Sequence, residues 1–393
     1  MGRYARDKRD LPTPRPVKKI ELSEKHLFLR LAAVILLVIL GMGTIGYALF
    51  SMLHTEEGLT EIEANNGSLA DVAGEFLFQY NLGAGELSAT AENKALTLLY
   101  GELTRKAYMI FAEQEEFPET HNLAYLNHHL NEVITVDEAL YEALAVCMEG
   151  PERILYLAPV YEIYASVYHS AEDWEAAMAD PLRSEEQRAL VAEWMDYIRD
   201  PSMIDLELKT ENRVELHVAP EYQQYMQENG EGTYLGFGWM KNAFVIDYLA
   251  GQLEQAGFVH GSLSGRDGFA RNLDKDCKDF HFPLYRREGN TVFPTEPFTY
   301  DGAVSIVYLR DFPLTDADRE RYYVYEDGEI RGPYIDPRDG MNKAASDMLL
   351  GYARGAGQSC GKALMALLKA YLDDSIEESR LKEFESLGYE YIK

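Results

Sequence analysis

Cysteine is scarce in this chain of 393 residues. The three that occur, Cys147, Cys277 and Cys360, are widely spaced and form no Cys-x-x-Cys pair. This spacing argues against a structural zinc site and against a scaffold held together by disulfides, and it allows one bridge at most. The chain is long enough to bury a large core without such cross-links.

Basic residues are also in deficit. Lys and Arg number 37 against 66 Asp and Glu, which gives a formal net charge of −29. A field of this sign repels nucleic acid and anionic lipid surfaces, so no nucleic-acid partner is expected. Its ordinary meaning is a well-solvated surface, and the charge alone identifies no ligand.

One long apolar run stands near the start of the chain. The segment Leu31–Leu53 contains no charged residue. At about 1.5 Å per residue it spans about 34 Å, enough to cross a hydrocarbon core of about 30 Å. The preceding residues 1–30 carry nine Lys or Arg against four acids. The positive-inside rule therefore predicts a single-pass membrane protein with a cytoplasmic N-terminus.

The alternative for this run is a cleaved signal peptide. Such peptides usually have a shorter apolar region and a small-x-small cleavage site, and neither occurs between Tyr47 and His54. No cysteine directly follows the run, so lipid attachment at that point is excluded. We therefore expect a cytoplasmic tail (1–30), a transmembrane helix (31–53) in the cell membrane and an extracytoplasmic domain (54–393).

The pattern after the run alternates between helical and strand-like segments, which indicates the α+β class. Thr135 with Glu138, and Ser184 with Gln187, form capping boxes ahead of apolar stripes at helical spacing. Those stripes are Leu140, Ala143, Leu144 and Cys147, and then Leu190, Val191, Trp194, Met195 and Ile198. Further helices are predicted at 242–256, ending before Gly257, and at 359–371, with strands at 204–208, 213–218, 258–263, 304–309, 321–325 and 348–353.

Two glycine-containing loops have the composition of anion-binding loops. The first contains Gly236 and Gly238 and leads to Lys241 at a helix start, where backbone N–H groups suit a phosphate. It is not a full Gly-x-Gly-x-x-Gly, because Lys241 takes the third glycine position, and an ordinary glycine turn is the alternative. The second loop, His260–Gly268, supplies glycines, hydroxyls and Arg266, or is a plain turn.

A third loop, Gly332–Gly340, is expected to be rigid because Pro337 fixes its turn. Asp336 and Arg338 are spaced for a local ion pair within it. A structural role is its ordinary interpretation.

No metal-binding or nucleophile pattern stands out in the sequence. The histidines at 121, 128 and 129 lack a carboxylate at the usual ligand spacing. The run Gly-Ser-Leu-Ser-Gly has Leu263 where a nucleophile elbow requires serine, so it offers no hydrolase chemistry.

Taken in order, these segments resemble the FAD:protein FMN transferases, the ApbE family. Gly236–Asp247 is similar to the family's Gly-Gly-Ile-Ala-Lys-Gly-Tyr loop and helix, with Lys241 at the lysine. Leu263–Asp267 is similar to its Leu-Gly-Gly-Asp turn. Pro333–Gly340 is similar to its His-Ile-Ile-Asp-Pro-Arg-Thr-Gly motif, which is the most specific match.

The resemblance implies an ApbE-like, T-fold-type α+β domain that splits FAD with magnesium and attaches FMN to a threonine of another protein. FAD is therefore the expected cofactor, and an extracytoplasmic flavin-acceptor protein the expected partner. The resemblance assigns no residue to catalysis or to a metal. The residues that it implies for flavin binding are Gly236, Gly238, Lys241, Ser264, Gly265, Asp267, Asp336 and Lys362.

The departures from the family fall where it holds its metal. The Asp-x-x-x-Thr pair corresponds to Lys362 and Ala366 or, with a shift of one residue, to a glycine and a methionine. Neither register offers an oxygen side chain to magnesium. Pro333 also replaces the family's histidine, and Ser264 one of its paired glycines. Loss of magnesium should remove most catalysis even if flavin still binds.

Three interpretations therefore stay open. The first is an active flavin transferase, in which Lys362 itself neutralises a phosphate in place of the cation. The second is a catalytically inactive membrane protein that binds flavin or only a protein partner. The third is a coincidental likeness within another fold. The family fold is expected to gather Lys241, Asp267, Asp336 and Lys362 around one cleft, and coincidence to scatter them.

Overall fold

The structure is a computed structural model, and it describes residues 55–64 and 71–393, together with 32, 35–37, 40–42 and 44. The predicted cytoplasmic tail and most of the predicted transmembrane segment, 31–53, lie outside the described residues. The residues of that segment that are described are helical. Within the described part of the chain, no helix is both long and apolar enough to cross a membrane. One compact unit extends from Glu56 to Lys393.

This unit combines helices and strands, as the sequence predicted. Its α-helices are α1 Ala89–Phe111, α2 Leu123–His128, α3 Glu138–Met148, α4 Ala158–Tyr168, α5 Asp173–Ala179, α6 Glu185–Arg199, α7 Pro220–Glu228, α8 Lys241–Gln255, α9 Cys360–Tyr371 and α10 Glu378–Ser386. Its strands are β1 Gly58–Glu61, β2 Phe76–Leu82, β3 Val133–Thr135, β4 Ile204–Lys209, β5 Arg213–Val218, β6 Gly261–Gly265, β7 Phe269–Asn272, β8 Phe280–Phe282, β9 Tyr285–Glu288, β10 Thr291–Pro294, β11 Phe298–Tyr300, β12 Val304–Arg310, β13 Tyr323–Val324, β14 Ile330–Arg331, β15 Met348–Arg354 and β16 Glu390–Ile392.

The largest sheet is antiparallel, with seven strands in the order β1-β2-β6-β7-β12-β15-β16. Strand β12 is buried along its whole length. Val307 and Leu309 belong to the larger core, and Ile306 and Tyr308 to the smaller one. Because successive side chains of a strand point to opposite faces, both faces of the sheet are covered here. Helices α8 and α9 pack on the face of the larger core.

A second antiparallel sheet consists of β3, β5 and β4, with β5 in the middle. Val214, Leu216 and Val218 of β5 are buried, and the residues between them are half-buried. This alternation covers one face of the sheet and leaves the other polar.

The helix starts follow local capping. The hydroxyl oxygen of Ser184 accepts from the N–H of Gln187 at 3.3 Å, which confirms the predicted cap of α6. For α3, the prediction of Thr135 as the cap was wrong, because Thr135 is paired within β3 and Asp137 caps the helix instead. The predicted apolar stripes of both helices are buried, with Leu190 half-buried.

Most predicted elements are confirmed to within about one residue at each end, but two strands differ. The strand expected at 258–263 starts later, at Gly261, because α8 extends to Gln255 and the chain then turns at Gly257 with φ of 85°. The strand expected at 321–325 shrinks to Tyr323–Val324 because a 3-10 turn, Asp316–Glu320, precedes it.

A buried ion pair closes the end of β12. The side chains of Arg310 and Asp318 are each 3% exposed, and Nη2 of Arg310 donates to Oδ1 of Asp318 at 2.9 Å. The second oxygen of Asp318 accepts from the N–H groups of Leu314 and Thr315 at 2.8 and 3.0 Å. This carboxylate therefore fixes both the charge of Arg310 and the turn that follows the strand.

Removal of this carboxylate is expected to destabilise the fold strongly. D318A leaves Arg310 buried without its partner, so the free energy of unfolding should fall by about 3–5 kcal/mol. The matched control is D316A, which breaks the pair between Asp316 and Arg319 on the same turn, where the side chains are 91% and 80% exposed. An exposed pair contributes about 0–1 kcal/mol. Urea denaturation of both variants measures the difference, and equal losses would contradict the prediction.

Candidate functional site

The glycine loop ahead of α8 uses its backbone N–H groups within the protein. The N–H groups of Phe237 and Gly238 both donate to Oε1 of Glu113, at 2.9 and 3.2 Å. The two N–H groups at 234 and 235 donate to Oδ1 of Asn127 on α2, at 3.1 and 2.8 Å. The loop suited to a phosphate thus holds a carboxylate of its own chain.

Both glycines of this loop allow close approach of other side chains. A Cβ at Gly236 would lie 3.2 Å from Oε2 of Glu113, and one at Gly238 would lie 3.3 Å from the ring of Tyr161. Gly238 also has φ of 52°, a backbone conformation that strains other residues. The glycines therefore shape the loop around Glu113 and Tyr161.

The pKa of Glu113 is set by opposing influences. Burial raises its pKa above the ordinary value of 4.5, while the N–H groups of Phe237 and Gly238 and the charge of Lys241 counter that rise. The nearby carboxylate of Glu162 adds to it. A negative charge at this position depends on the loop donors.

A cleft of about 420 Å³ opens beside the loop. Among its lining residues, Lys241, Arg266 and Arg321 supply cations, and Trp239 supplies an aromatic ring. The other lining residues are Gly74, Glu75, Gly238, Asn242, Asp267, Ala317 and Glu320. The lining thus contains three cations and three carboxylates, whereas the whole chain has a net charge of −29. This balance makes the cleft a more favourable environment for an anion than the average surface of the chain.

Asp267 is the buried acid of this cleft, with a side chain 4% exposed. Its Oδ2 accepts from Nδ2 of Asn242 at 2.8 Å and lies 3.9 Å from the guanidinium of Arg321. Its Oδ1 faces Gly265, the end of β6 after Ser264, and has no hydrogen-bond partner among the described residues. Burial raises the pKa of Asp267, and the charge of Arg321 opposes the rise.

Lys362 lies in the first turn of α9 and lines a different cavity, of about 620 Å³, whose walls include α3 and α8. Asp247 of α8 caps the start of α9: its carboxylate accepts from Oγ of Ser359 at 2.6 Å and from the N–H groups of Cys360 and Gly361, both at 2.8 Å. The remaining contact of this carboxylate is with the 5% exposed side chain of Arg271, 2.9 Å away.

The residues at this helix start do not fit magnesium. Lys362 presents a positive charge and Ala366 a methyl group where a divalent cation requires oxygen ligands. Asp247, the carboxylate that lies against the helix start, is already bonded to the hydroxyl and N–H donors of the cap and to Arg271. An incoming cation would have to displace that cap and that ion pair together.

Asp336 lies in neither cavity lining and is 1% exposed. Its carboxylate accepts from Nε of Arg338 at 2.9 Å, which confirms the predicted local pair, and from Nζ of Lys343 at 2.8 Å. Burial works against ionisation, but the bonds from Arg338 and Lys343 hold the pKa of Asp336 below its ordinary value. This arrangement fixes the loop Gly332–Gly340.

The structure thus brings part of the predicted set together. Gly238, Lys241 and Asp267 line one cleft, and Gly236, Ser264 and Gly265 are close to them in the chain. Lys362 lines the other cavity, and Asp336 is tied into its own loop.

The described residues also include a group with metal-ligand chemistry that the sequence analysis missed. Glu207, Glu215 and His217 place ligand atoms within 4.8 Å of one another on the polar face of β4 and β5. Lys209 already bridges the two carboxylates, at 2.5 Å from Glu207 and 3.1 Å from Glu215. The alternation of polar residues along two paired strands was the signal for this group. In the structure, these residues form an ion-pair network with Lys209.

Several residues at the candidate site were also missed, among them Glu113, Trp239, Asn242 and Arg321. Glu113 follows α1 in an acidic stretch and lies 124 residues before Phe237, so no local pattern singled it out. Asn242 directly follows Lys241, and an amide beside a lysine at a helix start was a weak signal for it.

Comparison with known proteins identifies the fold. No family model and no curated protein sequence matches the chain. Among solved structures, an ApbE protein from Thermotoga maritima matches with a TM-score of 0.52 and 12% identity, over 86% of this chain and 93% of that one. The flavin transferase ApbE from Vibrio cholerae matches with a TM-score of 0.52 and 10% identity, over the same shares. The resemblance predicted from the motifs is therefore confirmed for the fold, and this chain has the fold of the ApbE flavin transferases.

Proposed function

We propose that this protein is a membrane-anchored, extracytoplasmic relative of the ApbE flavin transferases that binds a flavin nucleotide and has lost magnesium-dependent transfer. The observation that carries the proposal is the cleft beside α8. Lys241, Arg266 and Arg321 line it together with Trp239. Cations suit a diphosphate, and an aromatic ring suits a flat heterocycle.

The ring of Trp239 is held in place by two neighbouring aromatic side chains. Its ring packs edge-on against Tyr334, with centroids 4.9 Å apart, and nearly parallel to Phe269 at 6.4 Å. Trp239 is half-buried and lines the cleft. A ring positioned in this way loses little freedom when a ligand stacks on it.

Transfer of FMN is the step that this chain does not support. In the related enzymes, magnesium would neutralise the diphosphate while the bond to FMN is transferred. The start of α9 carries Lys362 and a capped Asp247, an arrangement that does not fit the metal. We therefore assign no catalytic step to these residues.

A second candidate is an active transferase in which Lys362 replaces the cation. It is favoured by the place of Lys362 in the first turn of α9, where the resemblance puts a metal ligand. Against it, Lys362 lines a different cavity from Lys241 and Arg321. A third candidate, a protein-binding role without flavin, is an outcome of the experiment below.

The proposed location rests on the N-terminal sequence. Leu31–Leu53 is uncharged and long enough to span a bilayer, and the basic residues 1–30 favour a cytoplasmic tail. The acidic unit after it would then face the extracytoplasmic side, where a flavin-acceptor protein is the partner that the fold suggests.

The first test is FAD titration of the purified full-length chain. We expect FAD binding with the same affinity in magnesium and in EDTA, and no release of AMP. K241A should weaken binding about tenfold, because a charged hydrogen bond contributes about 1.5–3 kcal/mol and about 1.4 kcal/mol corresponds to tenfold. The control K94A removes an exposed lysine on α1 and should leave the affinity unchanged. Calorimetry measures the affinity, and chromatography detects AMP.

Three outcomes of this experiment would decide against the proposal. AMP release that depends on magnesium would show a working transferase despite Lys362. Absence of FAD binding by a folded chain would leave the protein-binding candidate. Equal effects of K241A and K94A would place the flavin outside the cleft.

The membrane anchor has its own test. The full-length chain is expected to stay with the membrane fraction after an alkaline carbonate wash, because an uncharged run of this length partitions into the bilayer. A variant that lacks residues 31–53 should appear in the wash. Immunoblotting of both fractions makes the comparison, and release of the full-length chain would contradict the anchor.

A further inference from the structure

Glu113 occupies a position that ordinarily suits a ligand anion. Consecutive backbone N–H groups ahead of a helix form a concave donor site for phosphate or carboxylate. Here the N–H groups of Phe237 and Gly238 converge on one oxygen of Glu113, at 2.9 and 3.2 Å. The next helix begins at Lys241, whose charge also acts on this carboxylate.

The surroundings other than the loop are unfavourable for a carboxylate. Glu113 lies two residues after the end of α1, and the C-terminal end of a helix disfavours negative charge. The carboxylate of Glu162 is near enough to raise its pKa. The charge is therefore held at this place by the loop donors and Lys241, which are the groups that a phosphate would also use.

The backbone around Glu113 is fixed by hydrogen bonds on either side of the residue. Nδ2 of Asn122 donates to the carbonyl oxygens of Met109 and Glu115, at 3.1 and 2.7 Å, on either side of Glu113. The N–H of Ala124 donates to the carbonyl of Ala112 at 3.0 Å. Glu113 itself is only half-buried. Departure of its carboxylate from the loop donors would therefore require rotation of the side chain, with the backbone of the segment unchanged.

We propose that Glu113 is an autoinhibitory anion: it fills the backbone donors of the loop, and the phosphate group of a ligand binds them only when this side chain has rotated away. The ligand class is a phosphate or diphosphate, free or as part of a nucleotide. The inference rests on the loop geometry. It goes beyond flavin binding in the cleft, because it identifies Glu113 as a group that competes with the phosphate of a ligand for the loop donors. In the wild type, a diphosphate in the cleft depends on side-chain cations alone.

The test compares the full-length wild type with E113Q and E119Q, with inorganic pyrophosphate as the probe and EDTA present. E113Q keeps an acceptor of the same shape but removes the charge, so pyrophosphate should bind at least tenfold more tightly than to the wild type. E119Q removes the same charge from an exposed position in the same segment, and it should match the wild type. Calorimetry gives the affinities, and the amide NMR signals of Phe237 and Gly238 report binding at the loop.

Several results would overturn the proposal. Affinity of folded E113Q equal to or below that of the wild type would show that Glu113 is a static part of the loop. Equal gains in E113Q and E119Q, or a gain without movement of the Phe237 and Gly238 signals, would show a general charge effect. If E113Q does not fold, E113D provides the comparison, since its shorter carboxylate reaches the loop less well. Pyrophosphate contains no flavin, so the result of this test does not depend on whether the protein binds FAD.

Discussion

The carboxylate of Asp247 joins the three elements on which the rest of the unit depends. It lies on α8, accepts from the first N–H groups of α9 and pairs with Arg271 on β7. A negative charge at a helix start satisfies donors that have no partner within the helix and interacts favourably with its dipole. Because Arg271 is almost fully buried, this carboxylate ties α8 and the start of α9 to β7 of the large sheet. The glycine loop and its cleft lie at the start of the same helix, α8.

Two backbone sites that would suit a ligand anion are filled by carboxylates of the same chain. Asp247 fills the start of α9, and Glu113 fills the loop before α8. In the cleft beside α8, the cations that face an anion are on side chains, chiefly Lys241 and Arg321. A helix start that is already occupied by a carboxylate of the same chain offers fewer donors to a ligand anion, while the fold that carries it stays the same.

The sequence predicted what depends on neighbours in the chain. The apolar stripe and cap of α6 are such features, and so is the pair of Asp336 and Arg338, two residues apart. It did not predict bonds that close over long separations. Glu113 and Phe237 are 124 residues apart, and Asp247 and Ser359 are 112 apart. In the sequence, a lone glutamate in an acidic stretch looks the same whether it is solvated or bound to a loop. The fold alone determines which donors lie near it.

The same distinction explains why a fold can stay recognisable at 10–12% identity while individual residues of a site within it change. A core tolerates exchange among apolar residues if its pattern and volume are kept, whereas a metal site depends on individual oxygen atoms. Lys362 shows this most directly. An acid at this position would interact favourably with the positive start of α9 and offer a ligand to a cation. A lysine reverses both effects, so it gives no electrostatic support to the helix and opposes the metal. Under the proposed function, the charge of this one side chain would be enough to oppose magnesium binding at the start of α9.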